Sequence, residues 1–325
     1  MPKKKEDPNE FNLTTVAVHF SDEDKAREML EAKRWPNGVI CPHCKETGAY
    51  KLTPKAESKS GVRKGVWKCK ACRKQFTVTV GTIFEDSRIP LSKWLLAIHL
   101  LCSSKKGHSA HQIHRMLGIT YKSAWFMMHR IRYAMAQEPM ASKLSGIVEV
   151  DETYVGGKSK NMHASERKRK IQGRGAVGKA PVVTLVEREG RVKTIYMASV
   201  TGENLKAAMK DCIVPTAHIM TDESPSYSFA QGEFAEHESV NHKAGEYVRG
   251  DAHVNTSESV HALLKRGIIG TYHHVSKLHL HRYLSEFDFR FNERKVTDGE
   301  RTLEALKGFE GKRLMYKDPI GKIKE

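Results

Sequence analysis

Four cysteines in two Cys-x-x-Cys pairs constrain this chain more than any other feature. Cys41 and Cys44 ("CPHC") are followed, after 24 intervening residues, by Cys69 and Cys72 ("CKAC"). A two-residue gap lets one turn aim both thiolates at a single tetrahedral metal, and two such turns complete a four-sulfur structural zinc site. A disulfide framework would need an oxidising compartment, yet the basic start of the chain (Lys3, Lys4, Lys5) has no apolar run behind it to serve as an export signal. A redox role would need only one pair. In "GVWKCKACRKQFTVTVGTIF" the residues Phe76, Val78 and Val80 alternate with polar ones, which predicts a half-buried strand after the second pair. A ribbon this small cannot be held by its own core, so the metal supplies folding energy. His43 lies between two ligands and is not needed as a fifth. A zinc ribbon is predicted over 36–86, after an N-terminal segment, 1–35, expected to be partly disordered.

Charge suggests what the ribbon serves. The chain has 325 residues with 55 Lys and Arg against 38 Asp and Glu, a net +17. Residues 1–144 carry +13 of this and residues 145–325 only +4. A basic front joined to a balanced back points to a polyanion-binding module ahead of something else. Lys64 and other basic residues between the cysteine pairs fit phosphate contact, although a zinc ribbon can equally bind protein. No run of 18 apolar residues exists to span a bilayer, and a cytoplasmic location is expected.

Residues 87–144 read as helical. "SKWLLAIHLLCSS" enters a helix after Pro90, with Trp94, Leu95, Ile98 and Leu101 at core spacing and Cys102 as a buried apolar thiol. "SAHQIHRMLGI", a turn at Gly118–Thr120 and "YKSAWFMMHRIRYAM" give two helices around a tight glycine turn, the pattern of a helix-turn-helix. Lys122, Arg130 and Arg132 make the second helix basic. Two packed linker helices would produce the same pattern.

The back half carries its acids in a particular order. "GIVEVDETYVGGK" is a strand with Asp151 near its end. A basic loop from Lys158 to Lys179 follows, including Lys168, Arg169 and Lys170. "APVVTLVERE" and "RVKTIYMASV" form a hairpin, "GENLKAAMKDCIV" a helix, and "AHIMTDESPSY" a strand ending in Asp222. "HVNTSESVHALLKRGIIG" is a helix bearing Glu258, with Asn255 one turn earlier on the same face. Strand-Asp, hairpin, helix, strand-Asp, helix-Glu is the order of an α/β, ribonuclease H-like nucleotidyltransferase core. Two divalent cations need hard oxygen ligands, and acids far apart in sequence serve only if neighbouring strands unite them. Glu152 and Glu223 adjoin the aspartates but are predicted to point to the opposite strand face. His253 and His261 suit surface or core roles better than phosphate or ligand contact. Ser276–Arg294 is a core-packed helix, while Lys265, Arg266, Arg282, Arg290 and Arg294 are candidates for DNA phosphate. His279 and His281 do not share a helix face, so no histidine metal cluster is predicted there.

The chain resembles bacterial insertion-sequence transposases of the DDE type with an N-terminal zinc ribbon, the ISXO-like group. The resemblance rests on "CPHC…CKACRKQFTVTVGTIFEDSRIPLSKW", "VEVDETYVGGK", "TDES" and "HVNTSESVHALLKRGIIGTYHHVSKLHLHRYLSEFDFRFNER". It implies that Asp151, Asp222 and a third residue in "HVNTSES" bind two catalytic magnesium or manganese ions. That position is Glu or Asn in the group; Glu258 is preferred to Asn255 because a third carboxylate balances two dications better than an amide. The implied architecture is one structural zinc in the ribbon, a helix-turn-helix-like region at 87–144, a catalytic domain at 145–300 and a tail at 301–325. The implied activity is cleavage and joining of element ends to target DNA by a homo-oligomer on double-stranded DNA, away from membranes. A non-enzymatic zinc-ribbon regulator derived from a transposase is the rival, and a nuclease that cuts without joining a second.

Overall fold

The computed structural model describes residues 12–19, 21–53, 64–136, 142–157, 161–170, 178–241, 244–246 and 248–320, apart from the side chains of 19, 166, 169 and 170. The backbone forms two units, one of residues 1–104, 108–135 and 296–324 and the other chiefly of 136–295.

The first unit opens with helices α1 (Leu13–His19) and α2 (Glu23–Arg34). Asp22 caps α2 by accepting the Asp24 amide, and Glu23 and Asp24 add negative charge to its first turn. Two helices thus occupy much of the segment 1–35 that was expected to be partly disordered, residues 1–11 lying outside those described. Strands β1 (Ala49–Lys51), β2 (Trp67–Cys69) and β3 (Gln75–Phe76) form an antiparallel ribbon. The predicted strand through Val80 ends at Phe76. Beyond it Val80 N–H donates to the Thr77 carbonyl and Thr82 N–H to that of Thr79, while the Thr82 hydroxyl also bonds the Thr79 carbonyl. Threonine hydroxyls that bond nearby backbone offer the chain a turn in place of a ladder.

Helices α3 (Leu91–Ser103), α4 (Ala110–Leu117) and α5 (Tyr121–Met135) complete the front of this unit. Pro90 cannot cap α3, and Glu23 of α2 does so instead, accepting the amides of Leu91 and Ser92. Ser109 caps α4, Gly118 ends it in the left-handed region (φ 57°), and the Thr120 hydroxyl accepts the Ser123 amide to open α5.

The second unit is a five-stranded sheet in the order β6-β5-β4-β7-β8. β4 is Ile147–Val155, β5 Ala180–Glu187, β6 Val192–Tyr196, β7 His218–Asp222 and β8 Glu236–Val240. β6, β5 and β4 pair antiparallel, whereas β4, β7 and β8 run parallel. The β5–β6 turn holds Glu189 in the left-handed region (φ 57°). Within the stretch predicted as a basic loop, Ala164–Lys170 forms a helix, α6, from residues of high helix propensity; 158–160 and 171–177 lie outside the described residues.

Alternation along β4 decides what packs on each face. Val148 and Val150 pack with Val183, Leu205 and Met209 of α7 (Gly202–Cys212), together with Tyr227 and Ala230. Tyr227 closes a short 3-10 turn from Pro225, and Ala230 opens α8 (Ala230–Glu233). On the other face Val155 and Val182 pack with Leu264, Leu280, Leu284 and Phe287. These belong to α9 (Asn255–Gly267) and α10 (Lys277–Asn292). Asp288 of α10 accepts from the Thr194 amide and hydroxyl, and Asn292 accepts the Val192 amide, so the β6 edge is covered.

The chain then returns to the first unit through α11 (Asp298–Lys307) and α12 (Lys317–Ile320). A reciprocal Thr297–Glu300 capping box starts α11. Ala305, Leu306, Phe309 and Leu314 are buried, and Phe309 lies 5.5 Å from Phe84 between ring centroids. The predicted tail at 301–325 thus contributes to the core of the first unit through Leu314, whereas Met315 and Ile320 near the end of the described segment are exposed.

Candidate active site

β4 and β7 are neighbours with Glu149 opposite Met220. Continuing that parallel register by two residues sets Asp151 opposite Asp222, the last residue of β7. Both side chains project from one face of the sheet, since alternate residues share a face. Carboxylate oxygens of Asp151, Glu152 and Asp222 all lie within 4.8 Å of one another. Glu152 was predicted to point away. It does start from the opposite face, but β7 ends beside Asp151, so no strand separates the faces at that edge and the longer side chain reaches the aspartates. An acid in the strand position next to Asp151 was the available signal.

The third element is α9. Its first turn is held by Glu149, two residues before Asp151: the carboxylate accepts the amides of Thr256 and Ser257 at 2.8 and 3.0 Å and the Thr256 hydroxyl at 3.0 Å. Two turns along, His261 stands with Nδ1 3.4 Å from Asp151 Oδ2 and Nε2 2.9 Å from the Thr184 hydroxyl. Thr184 is the direct cross-strand partner of Asp151 on β5. Asn255 and Glu258 occupy the exposed side of the first turn of α9. Glu258 is not among the carboxylates of the cluster. Glu149 and Thr184 had no place in the predicted site, and His261 was placed there only behind a surface or core role; an acid two residues before Asp151, amid valines, was the only hint of Glu149.

Burial sets the electrostatics. It pushes the Glu152 carboxyl up to about 7, opposed by the neighbouring Tyr227 phenol and reinforced by the charges of Asp222 and Asp151. Burial, followed by the charge of Lys265, depresses His261 to about 4, which keeps the ring neutral. A neutral imidazole has one donor and one acceptor nitrogen, suiting donation to Asp151 and acceptance from Thr184. The converged donors are all hard oxygens, the set that magnesium or manganese prefers.

A second cluster lies in the first unit. Cys41, Cys44, Cys69 and Cys72 bring their sulfurs within 4.8 Å of one another. Cys41 Sγ is 3.7 Å from Cys72 Sγ, and Cys44 Sγ is 3.6 Å from Cys69 Sγ. A tetrahedron with about 2.3 Å from metal to sulfur has edges of about 3.8 Å, so the spacing fits zinc. The two knuckles share one design. Cys41 N–H donates to the Glu46 carbonyl and Cys69 N–H to that of Lys74, and the residues after the second cysteines, Lys45 and Arg73, are left-handed (φ 65° and 62°). Backbone donation from Cys72, and then Ala71, helps to lower the Cys69 thiol to about 7.

The basic residues divide sharply. Arg130 is buried and its guanidinium donates to the carbonyls of Leu314, Ile83 and Glu85, which removes it from the DNA-contact candidates. Arg132 is buried as well, and Arg290 is buried against Glu286. Long guanidinium side chains near helix ends look alike in sequence whether they meet phosphate or cap carbonyls. Lys64 remains 75 % exposed while paired with Asp24 at 2.7 Å. Lys122 is exposed, its ammonium 4.9 Å from the Tyr316 ring centroid. Lys168, Lys265 and Arg266 are exposed. Arg169 and Lys170 lie on α6, but their side chains are outside the described residues. Among the described residues no helix is long and apolar enough to cross a membrane.

Comparison with known proteins agrees with both clusters. Residues 143–292 match the ISXO2-like transposase domain family, and residues 21–75 match the transposase zinc-ribbon domain family. An uncharacterized protein of the transposable element ISH50 of Halobacterium salinarum is 31% identical over 284 residues, covering 83% of this chain and 91% of the relative. No solved structure matches. With an acidic cluster inside one matched region, a four-thiol cluster inside the other and a relative aligned along most of both chains, the protein belongs to the insertion-element transposase family that joins a zinc ribbon to an ISXO2-like transposase domain.

Proposed function

We propose that this chain binds the terminal inverted repeats of its element, hydrolyses phosphodiester bonds at the ends and joins the freed 3′-hydroxyls to target DNA. The observation that carries the reading is the convergence of Asp151 and Asp222 at the ends of adjacent parallel strands in a member of a transposase family. Three antiparallel strands continued by two parallel ones, with helices on both faces, support a ribonuclease H-like core. Asp151 and Asp222 are assigned as metal ligands, with Glu258, or Asn255 beside it, as the third on α9; Glu152 adds a carboxylate next to them. These residues would hold two magnesium or manganese ions, which would supply activation of the attacking water or 3′-hydroxyl and charge stabilisation for the leaving oxygen. His261 steadies Asp151, and Lys265 and Arg266, farther along α9, offer charge to the DNA backbone. The four cysteines hold one structural zinc, and α4 and α5 form the end-recognition element, with Lys64, Lys122 and Lys168, and Arg169 and Lys170 on α6, as phosphate contacts. Holding two DNA ends together calls for a homo-oligomer on DNA.

A strand-transfer assay with a pre-cleaved element end, target DNA and magnesium tests this. The wild type should join, whereas Asp151→Asn and Asp222→Asn should lose cleavage and joining but keep end binding. Joining by either variant sinks the assigned site. End binding by the wild type with neither reaction would leave a regulator derived from a transposase, and cutting without joining would leave a nuclease.

A further inference from the structure

Glu149 is fully buried and spends its carboxylate on the approach to one helix. Oε2 accepts the Thr256 and Ser257 amides, and Oε1 accepts the Thr256 hydroxyl and, at 2.8 Å, Arg188 Nε. His253 Nδ1 stands 3.3 Å from Oε1, and Arg188 also donates to the His253 carbonyl. The residue preceding α9, Val254, makes no side-chain cap, whereas α4, α7 and α11 are capped locally by Ser109, Thr201 and Thr297. A local hydroxyl would have satisfied the free amides equally well. A carboxylate from the central strand does more, because it ties the helix to a fixed position along that strand. The strand position is two residues before Asp151, on the same face, and the tied turn carries Asn255 and Glu258.

We propose that Glu149 is a positioning residue for the acidic site, fixing the first turn of α9, which carries Asn255 and Glu258, against β4 two residues from Asp151. The inference rests on the metal-dependent reading given above. Glu149 touches neither metal nor DNA in this role; it acts through the α9 backbone.

The test measures Mn2+ binding by electron paramagnetic resonance and amide hydrogen exchange of α9 in the full-length protein. Glu149→Gln should stay folded by circular dichroism, exchange faster at Thr256 and Ser257, and bind Mn2+ about tenfold or more weakly, the usual effect of losing support behind metal ligands. Its cleavage rate should recover as Mn2+ is raised. Thr256→Val removes one of the bonds and should shift Mn2+ binding in the same direction by a smaller factor. Faster exchange with unchanged Mn2+ affinity in Glu149→Gln overturns the proposal, reducing Glu149 to a helix cap. If that variant does not fold, unchanged affinity in Thr256→Val overturns it. Asp222→Asn run in parallel separates the two readings: Mn2+ binding that survives Asp222→Asn overturns the metal site itself, whatever Glu149 does.

Discussion

His261 on α9 and Asp151 on β4 meet at 3.4 Å, Nδ1 to Oδ2, while the other ring nitrogen of His261 bonds Thr184, the cross-strand partner of that same aspartate. One imidazole therefore braces the aspartate from a helix and from the adjoining strand at once. Support of this kind fixes the rotamer of a ligand before any ion arrives. His261→Ala should weaken Mn2+ binding by about 10-fold or more. It should also cost roughly 1–3 kcal/mol of stability, because the Thr184 hydroxyl loses a buried partner. Metal titration and thermal melting of the same preparation check both. Unchanged Mn2+ affinity would make His261 a packing residue.

Glu152 gives the metal-free protein a pH dependence of unusual sign. Its carboxyl titrates at about 7 in the folded chain against 4.5 for the free side chain. The folded state therefore holds the proton more tightly than the unfolded state, and stability falls as pH rises from about 4.5 through about 7. Glu152→Gln removes that ionisation while keeping the size. At pH 8 without metal the variant should be the more stable by up to about 3 kcal/mol, and below pH 4.5 the two should converge. Added Mn2+ favours the ionised carboxylate and should narrow the gap. Denaturant titrations across this pH range, with and without metal, measure it.

The ribbon depends on its thiols for a different reason. Its strands have only three, three and two residues, and Trp35 approaches Trp67 and Phe76 edge to face, with centroids 6.0 and 5.9 Å apart. That core is too small to stand alone. Cys69→Ser should abolish one equivalent of bound zinc and disperse the indole environment, read by elemental analysis and tryptophan fluorescence. The five-stranded unit should keep its own melting transition. A variant that retains zinc and native fluorescence would show that three thiols suffice.

Periodicity and spacing carried the elements built on burial. The Val148–Val150 alternation, the hairpin from Ala180 to Tyr196 and the Leu280–Leu284–Phe287 stripe all appear where the sequence pattern put them. β8 was not legible, because "EHESV" at the sheet edge buries only Val240 and shows no apolar face. The segment after α10 was misread for a different reason: Thr302, Ala305, Leu306 and Phe309 do lie at helical spacing, but only Leu306 and Phe309 are large apolar side chains, and their burial follows from a long-range return to Phe84 and α3. Glu152 leaves β4 on the face that alternation assigns, and what the pattern could not show is that its carboxylate still comes within 4.8 Å of the aspartates where the neighbouring strand stops. Position within the sheet, set by partners 70 residues away, is not written in local pattern.

Arginine burial leads to the final prediction. Arg130 is 5% exposed and bound to three carbonyls, whereas Lys122, on the same helix, and Lys265 and Arg266 are exposed. Neutralising a phosphate releases counterions, so each lost contact should lower the slope of log affinity against log salt by about 0.9. Lys122→Ala, Lys265→Ala and Arg266→Ala should each weaken binding to an element-end duplex and reduce that slope by about this amount. Arg130→Ala should instead lower the melting temperature of the first unit, since two buried carbonyls and the part-buried one of Glu85 lose their donor, and leave the slope of the folded fraction unchanged. Fluorescence anisotropy between 50 and 200 mM salt, beside thermal melts, separates the two behaviours. A lowered slope for Arg130→Ala would return it to the DNA interface, and unaltered slopes for the exposed residues would remove them from it.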